Sequence, residues 1–475
     1  MLGWVLLAPD IAWCVDIIGV QNAALDQPQI NALLRPGGGG DPLTADPLDP
    51  FGFSIQGFLD TGASGVLLSK ETADGLGVTR VPGVTYEDVG VGGSASFNVS
   101  TPLLVDVAPF TPLAALDNPT AYDQRSGPLR VQINPNDADP LIGSVDVFGM
   151  PVMQNRVVVM DPKPLNSFAD PMQTYLYNPG TPFRPQTAGS DPGIPHTSSS
   201  VALTFASFSR FSRITPAGAE GPTQSANPFI GPNPLAKIDP KIAPGNVPGV
   251  GLKLGDREVN ASLLLDTGAA ASVISKDIAA QLGVRERPGA LPGDPPVLER
   301  FDPAHPELPG TAIDNQFVVT LAGIGGNQQA AGFFLDAMIV RTREGNAGND
   351  NDPHHLRYMG APVLVADISL QDPLTLQTFT LDGLFAMNFL VASVFFSEPL
   401  TLGDFNPSPF EWIVFDPQRS VLGLQVAQVP EPATVFITLI GLVLLVWRLR
   451  RSHKKSEASG ERQSFAEPAT LVEER

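Results

Sequence analysis

Cysteine is almost missing from this chain: Cys14 is the only one in 475 residues. A single thiol excludes an intramolecular disulfide framework and a cysteine-built zinc site, so stability has to come from packing. Cations are scarce too, with 29 Lys and Arg against 49 Asp and Glu and a formal charge of −20. Phosphate backbones are held by clustered basic side chains, and this balance argues against a nucleic-acid partner. Several catalytic signatures are also absent. There is no Gly-x-Ser-x-Gly elbow, no His-Glu-x-x-His pattern and no glycine loop followed by Lys-Ser/Thr, while His196, His305 and His453 lie apart in polar or proline-rich surroundings.

What the chain has in quantity is glycine (46) and proline (48), with only 16% charged residues. Proline at that density breaks helices and marks turns, so the expected class is mainly β rather than a helical bundle. The length exceeds what one hydrophobic core usually supports, which points to two lobes with appendages.

The strongest pattern is a repeat. Leu59-Asp60-Thr61-Gly62-Ala63 returns as Leu265-Asp266-Thr267-Gly268-Ala269, each at the end of an apolar run. The copies stay in register downstream, through Ser69-Lys70 and Ser275-Lys276, Ala73 and Ala279, and Leu76-Gly77-Val78 and Leu282-Gly283-Val284. They lie 206 residues apart, too far for a short-period solenoid and suited to two related lobes. In each, the segment after the turn reads as a short helix closed by Gly77 or its counterpart. A glycine-rich hairpin follows in both, around Val89-Gly90-Val91-Gly92-Gly93 and Ala322-Gly323-Ile324-Gly325-Gly326.

At these residues the chain resembles the aspartic peptidases. The Asp-Thr-Gly-Ala form is more like the retropepsin branch, whereas two copies in one polypeptide resemble the pepsin arrangement. The resemblance implies a bilobed, pseudo-symmetric β fold with a cleft between the lobes and a polypeptide substrate. It makes Asp60 and Asp266 the catalytic pair, with Thr61, Gly62, Thr267 and Gly268 supporting it. It also makes the first hairpin, with Tyr86, Gly90, Gly92, Gly93 and Ser94, a flap over the cleft. The family's hydrophobic-hydrophobic-Gly element, which packs beside each aspartate turn, is matched by Leu141-Ile142-Gly143 and by Leu384-Phe385-Ala386, where Ala386 departs from the usual glycine. Because both aspartates lie on one chain, a monomer suffices. No cofactor and no metal are called for.

Taken in order, residues 1–40 form an N-terminal segment. Its apolar start carries Pro9 and Asp10 and no basic region, so it makes a poor secretory signal. Residues from Asp16 to Leu34 are able to supply a strand to a sheet between the lobes, and the run Gly37-Gly38-Gly39-Gly40 reads as a flexible joint. Lobe one is placed at 41–165, a Pro/Gly/Ser-rich linker with one strand-like piece (Val201 to Phe208) at 166–248, and lobe two at 249–426. Lobe two carries an insertion whose Asn349, Asp350, Asp352, His354 and His355 have cation-ligand chemistry but no ligand spacing, which makes a solvated loop the simpler reading.

The C-terminal stretch 427–455 is a separate signal, ahead of a polar tail at 456–475. Pro430-Glu431-Pro432 precedes the apolar run from Ala433 to Trp447 and the cluster Arg448, Arg450 and Arg451. The run is shorter than the roughly 20 residues of a usual membrane span, although flanking arginines can reach the interface. This order resembles the bacterial PEP-CTERM sorting signal, which implies export, transient membrane anchoring and processing by an exosortase. The tail after the basic cluster departs from that pattern.

The expectation is therefore an exported aspartic endopeptidase. A non-catalytic surface or matrix binding protein on the same scaffold is the other reading, and an enzyme that cleaves only its own linker is a third.

Overall fold

Alternation of buried and exposed side chains, the period of a half-buried strand, runs directly into the first aspartate: Ile55, Gly57 and Leu59 are buried while Gln56 is exposed. In the second copy Leu263, Leu264 and Leu265 are all buried, as expected of a strand covered on both faces. The computed structural model describes residues 15–44, 54–90, 93–109, 122–136, 145–162, 172–178, 180–181, 193–289, 291, 294–324, 326–397 and 401–427. The chain divides into a unit ending at Val426 and a second one, Ala427–Arg475, of which only Ala427 is described. Gly143 and the C-terminal signal (Pro430, Glu431, Pro432, Arg448, Arg450, Arg451) thus lie outside the described residues, as does Gly92.

The first unit is mainly β, and its two largest sheets have ten and fifteen strands. Each sheet repeats one arrangement around its aspartate turn. In the first, Ile55–Leu59 enters the turn and Val66–Leu68 leaves it; between them lies Val147–Phe148, parallel to the entering strand and antiparallel to the leaving one. In the second, Gly383–Ala386 lies in the same way between Leu263–Asp266 and Val273–Ile274. Beyond the leaving strand the order continues identically. A parallel strand (Gln132–Ile133 or Leu356–Val365) is followed by the two strands of a hairpin, Gly93–Ser100 with Arg80–Gly90 or Gly326–Val340 with Phe317–Gly323.

The helices after the turns also match. Ser69 caps Lys70–Gly75 by accepting from Thr72 N at 3.1 Å, and Ser275 caps Lys276–Gln281 by accepting from Ile278 N at 3.2 Å. Each closes on a glycine with positive φ, Gly77 at 64° and Gly283 at 78°, a conformation that a side chain disfavours.

One expectation about boundaries is corrected. The joint at Gly37–Gly40 does not precede the first sheet, because Gln29–Pro36 already lies in it, paired with Ile55–Leu59 and Leu103–Pro109. The linker's strand-like piece forms as Ser199–Ala206, and the region holds further strands besides. Gln173–Tyr177, Ser199–Ala206 and Asn227–Ile230 belong to the fifteen-stranded sheet, and Arg213–Thr215 pairs with the outer edge of the first hairpin. The closing strands Val157–Asp161 and Phe410–Asp416 pair antiparallel within that sheet. One continuous core cluster joins the halves, containing Leu59 and Phe148 from one and Leu265 and Phe385 from the other.

Candidate active site

The two Asp-Thr-Gly turns meet, and the side chains that bring them together are the threonines. Thr61 Oγ1 donates to the carbonyl of Leu265 at 2.5 Å and accepts from Thr267 N at 3.1 Å. Thr267 Oγ1 donates to the carbonyl of Leu59 at 2.7 Å and accepts from Thr61 N at 3.0 Å. Both threonines are buried, so these four crossing bonds are shielded from water and replace partners that would otherwise be lost. Close approach is possible because the next residue is glycine. A β-carbon on Gly62 would stand 2.6 Å from Cγ of Asp266, and one on Gly268 would strike the Asp60 carboxyl.

Each aspartate is then aimed by its own turn. Asp60 Oδ1 accepts from Gly62 N at 2.7 Å and Ala63 N at 3.1 Å; Asp266 Oδ1 accepts from Gly268 N and Ala269 N, both at 3.0 Å. The two carboxyls face each other across the paired turns, each lying against the glycine of the other turn. Burial pushes both above the ordinary carboxylate range. Each charge opposes the ionisation of the other, while the N–H groups of the turns favour the ionised forms. Two carboxyls so placed disfavour double ionisation and hold one proton between them.

The strand beside each turn completes the frame. Phe148 pairs with Leu59, so the residue opposite Asp60 is Gly149, where Leu141-Ile142-Gly143 was expected. A side chain at Gly149 would strike the carbonyl oxygens of Ala63 and Gly65. In the second half Ala386 pairs with Asp266 and is fully buried. Its methyl group leaves the turn intact: Met387 N reaches the carbonyl of Ala269 at 3.1 Å, as Met150 N reaches that of Ala63 at 2.9 Å.

The flap residues are placed less simply. The hairpin forms, with Gly93 and Ser94 exposed, and its tip touches the second hairpin: a β-carbon on Gly90 would lie 2.7 Å from Cβ of Ile324. Tyr86, however, is buried among Val84, Phe97 and Val99, and its hydroxyl accepts from the side-chain amide of Gln224. The Arg213–Thr215 strand lies alongside, with Ile214 opposite Tyr86, so this ring is part of the hairpin's own packing.

The insertion in the second half is tied down by its own side chains and by those of neighbouring strands. Asp350 pairs with Arg341 at 2.7 Å, Asp352 accepts from the backbone N–H of Asn346 and of His354, and the buried His355 lies between Thr342 N at 3.2 Å and the carbonyl of Asn346 at 3.0 Å.

Residues that the sequence did not single out also touch the turns. Asn227, fully buried, donates from Nδ2 to the carbonyls of Thr61 and Gly62, both at 2.9 Å, and its Oδ1 accepts from Ser64 Oγ at 2.6 Å. Gln27 donates from Nε2 to the carbonyl of Gly268. They share a short amide-Pro-x-Ile pattern, Gln27-Pro28-Gln29-Ile30 and Asn227-Pro228-Phe229-Ile230, which is the signal by which the sequence could have paired them. Comparison with protein-family models and with curated proteins finds no match for this chain.

Proposed function

We propose that the protein is an aspartic endopeptidase, bilobed and pseudo-symmetric, with Asp60 and Asp266 as its catalytic residues. The observation that carries this reading is the pair of facing carboxyls, each aimed by two N–H groups of its own turn and brought together by the crossed threonines. Peptide hydrolysis without a covalent intermediate needs a base to activate water and an acid to polarise the carbonyl. One proton shared by two carboxyls supplies both.

In that reaction a water bound between the aspartates attacks the carbonyl carbon and gives a proton to the ionised carboxylate. The protonated partner donates its proton to the carbonyl oxygen. The tetrahedral diol then collapses: the carboxyl that took the water proton passes it to the amide nitrogen, a diol hydroxyl gives its proton to the other carboxylate, the C–N bond breaks, and the pair is left with one proton again. Burial raises both carboxyls, and the proton belongs to the pair, so either aspartate can be the base while the other is the acid. The pair titrates as a unit, so activity falls at low pH as both become protonated and at high pH as both ionise.

Export and C-terminal anchoring belong to the same proposal and rest on the order Pro430-Glu431-Pro432, apolar run, Arg448, Arg450 and Arg451. Among the described residues no helix is long and apolar enough to cross a membrane. Fractionation of the full chain against one truncated after Val426 tests the anchor, and soluble behaviour of both removes it.

The catalytic test is cleavage of a mixed peptide library, followed by mass spectrometry from acid to neutral pH. Asp60→Asn and Asp266→Asn are each expected to abolish cleavage, with folding checked by circular dichroism. Cleavage retained in both variants defeats the proposal. The non-catalytic reading drew on Ala386, and the bonds of that turn are intact.

A further inference from the structure

Asn227 and Gln27 occupy equivalent places in the two halves. Gln29 pairs with Phe58, two residues before Asp60, and Phe229 pairs with Leu264, two residues before Asp266. Each amide therefore stands two residues ahead of the matching pair. Each also reaches across: Asn227, on the strand beside Leu263–Asp266, holds the first turn, and Gln27, ahead of the strand beside Ile55–Leu59, holds the second. The backbone nearby crosses in the same sense, with Ser225 N on the carbonyl of Ser64 at 2.8 Å and Ala24 N on that of Ala270 at 2.7 Å.

The carbonyls chosen are the informative part. In a trans peptide the C=O and the next N–H point in opposite directions from one plane. The carbonyl of Thr61 shares its plane with the N–H of Gly62, and that of Gly62 with the N–H of Ala63. These are the two donors to Asp60 Oδ1. Asn227 therefore binds the far ends of the two peptide groups whose near ends bind the catalytic carboxyl. It fixes their orientation, and bonds in series polarise one another. Gln27 does this for one peptide only, that of Gly268 and Ala269, whose N–H donates to Asp266. Ser64 Oγ holds the amide of Asn227; the second turn has Ala270 at the matching position.

We infer that Asn227, seated by Ser64, is a positioning residue of the dyad that makes Asp60 the better-solvated carboxylate, with Gln27 as a weaker counterpart for Asp266. The inference rests on the aspartic-peptidase reading for its meaning in catalysis but not for its test. The charged group that faces Asp60 among the described residues is Asp266; its other polar partners are the N–H groups of Gly62, Ala63 and Gly268. On the amide side, Asp26 beside Gln27 accepts from Met172 N and Gln27 N.

Asn227→Leu removes both donors at similar volume. In the full chain, the acid limb of the kcat/KM profile against pH is expected to move up by roughly 0.5–1 unit, because weaker donors hold the ionised Asp60 less well. Ser64→Ala, which copies the second turn, should give a smaller shift of the same sign. Gln27→Leu should leave the acid limb in place and move the upper limb. A carbon-13 NMR titration of the aspartate carboxyls reads the same shift without turnover. A wild-type chain that cleaves no peptide would remove the peptidase reading, yet the titration would still decide this inference. Should Asn227→Leu not fold, Ser64→Ala decides it by both measurements. Unchanged limbs and unchanged carboxyl titration overturn it, as does a loss of rate that only parallels a loss of thermal stability.

Discussion

The two aspartate turns are equals on the inside and unequals on the outside. Around the carboxyls the bonds within and between the turns are mirrored: two N–H donors from each turn to its own aspartate, and one threonine from each side crossing over. One layer out the mirror fails. The first turn is held by Asn227 and Ser64 and has Gly149 opposite it. The second is held by Gln27 and has Ala386 opposite it, with Ser272 Oγ accepting from Ala386 N at 2.9 Å and donating to the buried Asn388 at 2.7 Å. Among the described residues an aromatic cluster also lies beside the second turn, with Tyr358 edge-on to Phe385 and Phe389 and those two stacked, at centroid distances of 4.9–6.0 Å. Sharing a proton requires similar carboxyls, whereas choosing which one holds it requires a difference. The outer layer is where that difference can be built without disturbing the geometry.

The largest expected effect breaks the inner symmetry. Asp60→Asn and Asp266→Asn should each lower peptide cleavage by at least about a thousandfold, since acid–base partnership alone is worth about 10² to 10⁴. Equal losses would show that the two carboxyls act as one unit. The next effect probes the strands opposite the aspartates. Gly149→Ala forces a methyl group against backbone oxygens and should destabilise by about 2 kcal/mol or more, whereas Ala386→Gly should cost only about 0.5–1 kcal/mol. Chemical denaturation of both variants measures the contrast, and equal costs would mean the two sites are not different after all.

How much of this was legible beforehand differs by level. The turns, the capped helices and the hairpins follow from local chemistry: Ser69 and Ser275 sit where a cap is needed, and Gly77 and Gly283 where φ turns positive. The strand beside Asp60 was not, because Leu141-Ile142-Gly143 and Val147-Phe148-Gly149 have the same hydrophobic-hydrophobic-Gly form and only pairing with Leu59 separates them. Asn227 and Gln27 were hidden for a related reason, since their contacts arise from register between strands remote in sequence. The region 166–248 reads as linker because its strands are short and separated by proline- and glycine-rich turns. Their partners, such as Val421–Val426 for Ser199–Ala206, lie far along the chain.

Smaller effects sharpen the comparison. Thr61→Val and Thr267→Val each remove one crossing hydroxyl and strand a buried carbonyl, so each should cost about 1–3 kcal/mol, and the two should agree within roughly 0.5 kcal/mol. The double variant should cost less than the sum, because both act on one interface. Disagreement between the singles would place the asymmetry in the inner layer.

The smallest effect is on stability against pH. Asp266 keeps its proton in the folded state above the ordinary value of 3.8, while the unfolded chain releases it there. Folded stability therefore falls as pH rises from that value through the raised one. Asp266→Asn removes this loss and should raise the melting temperature more at pH 7 than at pH 4. Asp60→Asn should act in the same direction, since burial raises its carboxyl as well. Scanning calorimetry at the two pH values reads the difference.

The shared sheet carries a consequence for how the molecule comes apart. Val15–Ile17 lies beside Leu356–Val365, whereas Gln29–Pro36 lies in the other sheet. Val157–Asp161 closes the first half on Phe410–Asp416, which closes the second. Neither half owns all of its strands, as in a domain-swapped dimer whose two chains have been joined end to end. Opening one half strips edges from the other, so melting should proceed in a single cooperative step, and a half expressed alone should expose bare strand edges and aggregate.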